Sequence, residues 1–328
     1  MTTEPHIAYF ALGGTISMSG DPRGGVVPRL SGTELVDALG ALPVEVRVHD
    51  PVAVPGGSLT FADVLDVVDA ARAAVNEGAV GVVLTQGTDT LEETAFLIDS
   101  IWEHEAPFVL TGAMRNPTLL GAEGPANLLA AIRVASSADA RGRGALVAFL
   151  DDIHAARHVV KSHTTSPATF VSPDLGPVGH VVEGTPRFLA TVPPRRPIAG
   201  WTRGRIAQTN IALYTTTLDD DGLLLAGPDH SHQGLVVAGF GVGHVPARLV
   251  PALVEINEVM PVVLASRTGS GSVLTDTYGA PGSERDLLAR GLINGRFVHP
   301  YKARVLLRLL VAGCATRAEI ASAFAALG

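Results

Sequence analysis

Two apolar runs that each stop at a turn of glycine and threonine constrain this chain more than any other feature. Residues 7–12 end at Gly13-Gly14-Thr15, and residues 80–84 end at Thr85-Gln86-Gly87-Thr88-Asp89-Thr90. A short, fully apolar run bounded in this way reads as a strand buried on both faces, the condition of a strand inside a parallel sheet. The second turn passes directly into Leu91-Glu92-Glu93-Thr94, where Thr90 and Glu93 stand at capping-box spacing, so a helix is expected to start there. Hydroxyls and a carboxylate are thereby placed at the carboxyl ends of parallel strands, where α/β sheets hold their ligands.

The alternation continues beyond these two units. Helices are expected over residues 33–39, 60–76, 90–102 and 122–136, with strands over 44–48, 108–111 and 144–150. Thr60 marks one helix start, and Val64, Val67, Val68, Ala71 and Val75 then share a face at helical spacing. Strand and helix joined by short loops are the pattern of repeated βαβ units around a parallel sheet. After Asp151 the rhythm gives way to β-like segments over 158–165, 170–179 and 181–192.

Pro193-Pro194-Arg195-Arg196-Pro197 can continue neither a helix nor a central strand, so it reads as a linker. The expected organisation is a domain over 1–192, a linker over 193–208 and a second domain over 209–328. Later strands are expected over 206–214, 234–239 and 261–265, and helices over 246–256, 284–290, 302–312 and 317–326. The last helix opens with Thr316 and Glu319 at capping-box spacing. The fold class is α/β, a larger domain with a mostly parallel sheet plus a smaller carboxyl-terminal α/β domain.

Composition narrows the function classes. With 328 residues and 47% hydrophobic content, there is enough apolar material for two cores. A net charge of −8, with no basic run longer than Arg195-Arg196, argues against non-specific nucleic-acid binding. No apolar run approaches the ~20 residues of a membrane span. Residues 1–5 show no secretory pattern, and a single Cys314 allows no internal disulfide, so a cytoplasmic location is expected.

Motifs for cofactors are missing. There is no phosphate loop, no Gly-x-Gly-x-x-Gly between a strand and a helix, and no Gly-x-Ser-x-Gly elbow. Gly239-Phe240-Gly241-Val242-Gly243-His244 only alternates glycine by twos. His154 and His158 near Asp151 and Asp152, and the run Asp229-His230-Ser231-His232, lack a third element at metal-ligand spacing. Hydrogen-bonding histidines are expected at both places, and neither a metal nor a cofactor.

What remains is Thr15, Thr88, Asp89 and Lys161, all at or beside expected strand ends. A threonine hydroxyl is a useful nucleophile once a base takes its proton, and a lysine whose surroundings disfavour its charge can do so. Lys161 follows Val159-Val160, a setting for a partly desolvated amine. Asp89 is placed to hold that ammonium or to bind a substrate amine. Gly13-Gly14 and Gly87 leave room for backbone N–H groups to face an oxyanion. Residues 17–31, rich in Gly, Ser and Pro, are a lid candidate beside Thr15. Acyl transfer on a small amide or ester is the chemistry that this set allows.

Several stretches resemble the bacterial-type L-asparaginases and glutaminase-asparaginases. They are Leu12-Gly13-Gly14-Thr15-Ile16, the run from Thr85 to Ala95, Val159-Val160-Lys161-Ser162-His163-Thr164-Thr165, residues 107–114 with Gly124-Pro125-Ala126-Asn127-Leu128, and Lys302-Ala303-Arg304-Val305-Leu306-Leu307. They span nearly the whole chain in the expected order. The resemblance implies a larger Rossmann-like domain and a smaller carboxyl-terminal one. It also implies Thr15 as nucleophile, with Thr88, Asp89 and Lys161 in support and Asp89 on the substrate's α-amino group. The implied reaction hydrolyses L-asparagine to aspartate and ammonia through an acyl-enzyme, with no cofactor. The implied partners are a small amino-acid amide and further copies of the chain, a dimer or tetramer with shared sites.

Three departures from that family stand out. The family's loop tyrosine has no counterpart in residues 20–30, and Tyr278 is the candidate to replace it from the second domain. Where the family often has a serine and a polar residue for the substrate carboxylate, this chain has Pro55-Gly56-Gly57-Ser58, so Gly57 or Ser58 is the candidate contact. In the second domain His244 stands where the family often has asparagine, and no acid is evident beside it. The rival readings are a glutaminase-leaning amidohydrolase, the tRNA-linked amidase subunit of the superfamily, and a silent amino-acid-binding protein. The early first strand, with no added domain before it, counts against the second of these.

Overall fold

The computed structural model describes residues 4–21, 25–51, 54–193, 196–225 and 231–327. The chain divides into two compact units, Met1–Pro197 and Ile198–Gly328. The linker residues Pro194 and Arg195, and the pair Asp229 and His230, lie outside the described residues, as does Gly24 of the loop after Thr15.

The first unit opens with β1 (His6–Ala11), a hairpin of β2 (Met18–Gly20) and β3 (Val26–Pro28), α1 (Gly32–Asp37) and β4 (Glu45–His49). It continues through α2 (Phe61–Asn76), β5 (Ala79–Thr85), α3 (Leu91–Ile101), β6 (Phe108–Thr111), α4 (Gly124–Ser136) and β7 (Ala145–Phe149). The remaining strands are β8 (Asp152–Ala155), β9 (Val160–Lys161), β10 (Phe170–Val171), β11 (Gly179–Val182) and β12 (Thr185–Phe188). Eight strands form one sheet in the order β12-β11-β8-β7-β6-β5-β1-β4, parallel from β4 to β7 and antiparallel beyond.

Residue alternation along the strands builds two apolar faces. Ile7, Tyr9, Val83, Val109, Leu146 and Ala148 pack with α4 residues Leu128, Ala131 and Ile132 and with Leu35 of α1. Ala8, Phe10, Val82, Leu84, Phe108 and Leu110, also buried, point the other way, toward α2 and α3. β1 is bordered by β4 on one side and β5 on the other, so the chain leaves it first in one direction and then in the other. Such a switch point opens a crevice at the carboxyl ends of the strands.

The second unit consists of α5 (Arg203–Gln208), β13 (Ile211–Thr215), β14 (Gly234–Gly239), α6 (Val250–Val259), β15 (Val262–Ser266), α7 (Glu284–Ala289), β16 (Ile293–Asn294), α8 (Pro300–Ala312) and α9 (Arg317–Ala325). Its four strands are parallel in chain order. Tyr214, Val237, Leu253, Leu264 and Leu287 meet in its core.

Several expectations change, among them the β-like segments 158–165 and 170–179, of which only Val160–Lys161, Phe170–Val171 and the first residue of β11, Gly179, lie in strands. Residues 206–214 are not one strand, because Thr202 accepts from the Arg205 N–H and caps a short helix ahead of β13. Residues 181–192 are not one strand, because β11 and β12 form a hairpin over 179–188, with Glu183 (φ 51°) and Gly184 (φ 73°) both left-handed at its tip. Glu-Gly occupies a turn usually signalled by Asn-Gly or Asp-Gly, so the local sequence hides it. The described part of the lid candidate is a β-hairpin, Met18 pairing with Pro28 and Gly20 with Val26. The helix start at Thr60 and the capping box at Thr316 with Glu319 form as expected, Thr60 making a box with Asp63, and a further box forms at Ser31 with Glu34.

Candidate active site

Glycine contacts bring three strand-end turns together. After β1 the chain turns at Gly13 (φ 82°) and Gly14 (φ 91°) before the 3-10 turn Thr15–Ser17. Left-handed backbone there is open to glycine at little cost. A Cβ built on Gly14 would lie 2.6 Å from the Gly87 Cα, and one built on Gly87 would lie 2.8 Å from the Gly56 nitrogen. Gly14, Gly87 and Gly56 therefore pack backbone against backbone. The residues that follow them, Thr15, Thr88 and the pair Gly57 and Ser58, are gathered at one place.

Thr88 is buried, while Asp89 beside it is exposed and Thr15 half-buried. The Lys161 ammonium donates to the Thr88 hydroxyl and to Asp89 Oδ1, both at 2.9 Å. One cation thus joins a hydroxyl and a carboxylate from the turn after β5 to a residue more than 70 positions later. The Lys161 side chain is mostly covered and that of Asp89 is 71% exposed, which leaves the carboxylate open to a ligand amine. The Lys161 ammonium is turned to Thr88 and Asp89.

The expected capping box at Thr90 does not form: its side chain caps nothing in α3. The Thr90 hydroxyl donates instead to the Gly56 carbonyl at 2.8 Å, stitching the third turn to the second. A tertiary partner has won over the local one. The turn after β6 is held by Glu123, whose carboxylate accepts from the backbone of Met114 and Arg115, and by Asn127, which donates to the Gly112 carbonyl at 3.0 Å.

In the second unit, His244 and Tyr278 are neighbours, their rings edge to face at 4.8 Å. The acid that the sequence did not reveal is Glu284, fully buried, which pairs with His244 Nε2 at 3.0 Å. Its other oxygen accepts from the backbone N–H groups of Thr277 and Tyr278 at 3.1 and 2.8 Å. Burial works to raise the Glu284 pKa, but the Tyr278 N–H, its own backbone N–H and His244 outweigh it and hold it below the usual range. Tyr278 itself is half exposed. Glu284 is 40 residues from His244, so no local spacing signals the pair.

The described His154 and His232 of the two histidine clusters have hydrogen-bonding neighbours. His154 Nδ1 is 3.0 Å from the Ser172 hydroxyl, and Asp152 pairs with His180 at 2.8 Å. His232 is 3.4 Å from the Ser231 hydroxyl. Among the described residues, no group of three or more His, Cys, Asp or Glu side chains converges as a metal site.

Known proteins share this arrangement of sequence and fold. The family model "Asparaginase, N-terminal" matches residues 6–193, and "Glutaminase/Asparaginase C-terminal domain" matches residues 210–324. A probable L-asparaginase of Deinococcus radiodurans is 34% identical over 98% of this chain and 97% of its own. A glutaminase-asparaginase of Pseudomonas aeruginosa is 29% identical over 92% of this chain and 84% of its own. The crystal structure of a probable cytoplasmic L-asparaginase from Campylobacter jejuni superposes with a TM-score of 0.88 at 27% identity, covering 98% of this chain and 99% of that one. With both family models matched in order across almost its whole length, the chain belongs to the asparaginase family.

Proposed function

We propose that this protein is an L-asparaginase that hydrolyses L-asparagine to L-aspartate and ammonia, with Thr15 as nucleophile. The observation that carries this reading is the Lys161 ammonium, bonded at once to Thr88 and Asp89 beside the glycine contact that presents Thr15. Thr15 Oγ1 attacks the side-chain amide carbon, and its proton passes through Thr88 to Lys161, which serves as base in its uncharged amine form. The tetrahedral intermediate collapses to a Thr15 ester as the pair hands that proton to the amide nitrogen, which leaves as ammonia and frees the pair to act as base again. Water, deprotonated by the same pair, then attacks the ester, releasing aspartate and restoring the hydroxyl. Asp89 holds the substrate's α-amino group, and Gly57 and Ser58 hold its α-carboxylate. No step calls for a cofactor.

His244 as a substrate contact and Tyr278 as an aid to the nucleophile enter the proposal on the family resemblance. So do assembly into a dimer or tetramer and a role in asparagine breakdown. The cytoplasmic placement draws on the name of the Campylobacter structure. We place the domain boundary in residues 193–208, between the two family matches. A glutaminase-leaning activity is the second reading, favoured by the Pseudomonas relative's name.

Ammonia release from asparagine and glutamine, measured side by side, tests both readings. Asparagine is expected to be the better substrate, and a folded sample inactive on both amides sinks the proposal. Thr15→Ala is expected to lose turnover by about 10³-fold or more while still binding aspartate. Retained turnover in that variant removes Thr15 from the mechanism.

A further inference from the structure

The turn before α3 receives the Lys161 ammonium, and α3 itself holds the Lys161 backbone. α3 begins at Leu91, at the end of the 3-10 turn whose Thr88 and Asp89 take the Lys161 ammonium. One position into the helix, Glu92 Oε2 accepts the backbone N–H of Lys161 at 2.7 Å. Two turns further on, Asp99 Oδ2 pairs with Arg157 at 3.4 Å, while its Oδ1 accepts the Ala145 N–H at 3.1 Å. Seven residues apart, the two carboxylates share a helix face, and both are buried. They fasten the segment 157–161 to α3 at both of its ends.

Lys161 needs such fastening. Its strand β9 has two residues and, among the described residues, pairs with the two of β10, Lys161 opposite Phe170. An isolated two-stranded ribbon is marginal in water, and a lysine stem has much rotamer freedom to lose. A carboxylate bonded to a backbone N–H is a charge-assisted bond, stronger than a neutral one. With the Lys161 backbone fixed relative to α3, the distance from its ammonium to Thr88 and Asp89 is set by the side chain alone.

We propose that Glu92 is a positioning residue for the reaction, acting through Lys161 and without touching substrate. This rests on the reading of Lys161 as part of the proton-transfer pair. The test is a double-mutant cycle on the full chain, read as kcat and KM for asparagine. Glu92→Ala is expected to lower kcat by about 10²-fold, the effect of a misplacement of about 1 Å, with KM within about threefold. Glu92→Gln, which keeps an acceptor oxygen, is expected to recover most of that loss. In a Lys161→Met background, Glu92→Ala is expected to add nothing.

Full kcat in Glu92→Ala alongside an inactive Lys161→Met overturns the inference and leaves the proposed function standing. So does a Glu92 loss that multiplies undiminished onto the Lys161→Met loss. Full activity in Lys161→Met overturns both. If Glu92→Ala does not fold, Glu92→Asp, which withdraws the carboxylate by one methylene, is measured in its place. A lowered kcat with unchanged KM then supports positioning, and an unchanged kcat overturns it.

Discussion

Gly14 meets Gly87 backbone to backbone, so closely that a Cβ on Gly14 would lie 2.6 Å from the Gly87 Cα. The contact joins the turn after β1 to the turn after β5, and each glycine immediately precedes a candidate threonine. Gly14→Ala adds both a backbone clash and a side chain at φ 91°. We expect a stability loss of about 2–3 kcal/mol and a drop in kcat of about 10²-fold. Denaturant unfolding and asparagine kinetics check the two effects. A variant with native kcat shows that the turn spacing does not set the chemistry.

Asp89 has two jobs in the proposed mechanism, holding the Lys161 ammonium and binding the substrate amine. Asp89→Asn keeps a neighbour for Lys161 but removes the charge that an ammonium prefers. The expected result is a rise in KM of about tenfold or more together with a lower kcat, whereas Lys161→Met lowers kcat by about 10²–10⁴-fold. Steady-state kinetics on both variants separates binding from proton transfer. Equal effects on KM in the two would remove the distinction.

Glu284 ties Tyr278 and His244 together, accepting two backbone N–H groups and the imidazole. Glu284→Ala leaves those donors without their acceptor and is expected to destabilise the second unit by about 2–4 kcal/mol. Tyr278→Phe removes only a hydroxyl from a half-exposed ring and is expected to unfold at the native midpoint. If Tyr278 assists the nucleophile, that same variant loses kcat. Full activity in Tyr278→Phe ends the assignment.

Stability of the second unit depends on pH with a sign that follows from two groups. Burial, with a smaller contribution from Lys302, lowers the His299 pKa from 6.5 to about 4. Between those values the unfolded chain takes up a proton that the folded chain refuses, so stability falls as pH drops through this window, by on the order of 1 kcal/mol per unit. Glu284, held below 4.5, contributes stability that is complete above that value and lost as pH falls through its lower folded value. Denaturant unfolding of the native chain and of His299→Leu, across pH 7 to about 4, tests this. The variant is expected to show a shallower slope, and an identical slope would exclude His299 as its source.

Much of the fold was legible because burial on both faces leaves a sequence mark. The apolar runs before Gly13 and Thr85 became β1 and β5, and the stripe from Val64 to Ala71 became the buried face of α2. Where the signal was local but the partner was not, the reading failed. Thr90 has the spacing of a cap, yet its hydroxyl goes to Gly56, 34 residues away. Glu183-Gly184 lacks the usual turn letters, yet makes the hairpin tip.

The sequence by itself determined the α/β class and marked Thr15, Thr88, Asp89 and Lys161, at or beside expected strand ends, as candidates. Residue types and their short-range periodicity carry that information, since a side chain's period and a glycine's freedom are local properties. Only the tertiary structure decided which groups touch. It set Lys161 on Thr88 and Asp89, put Glu92 on the Lys161 backbone, and supplied Glu284 to His244. Each of these contacts spans 40 residues or more. Packing of whole elements, rather than any spacing along the chain, brings such partners within hydrogen-bonding distance.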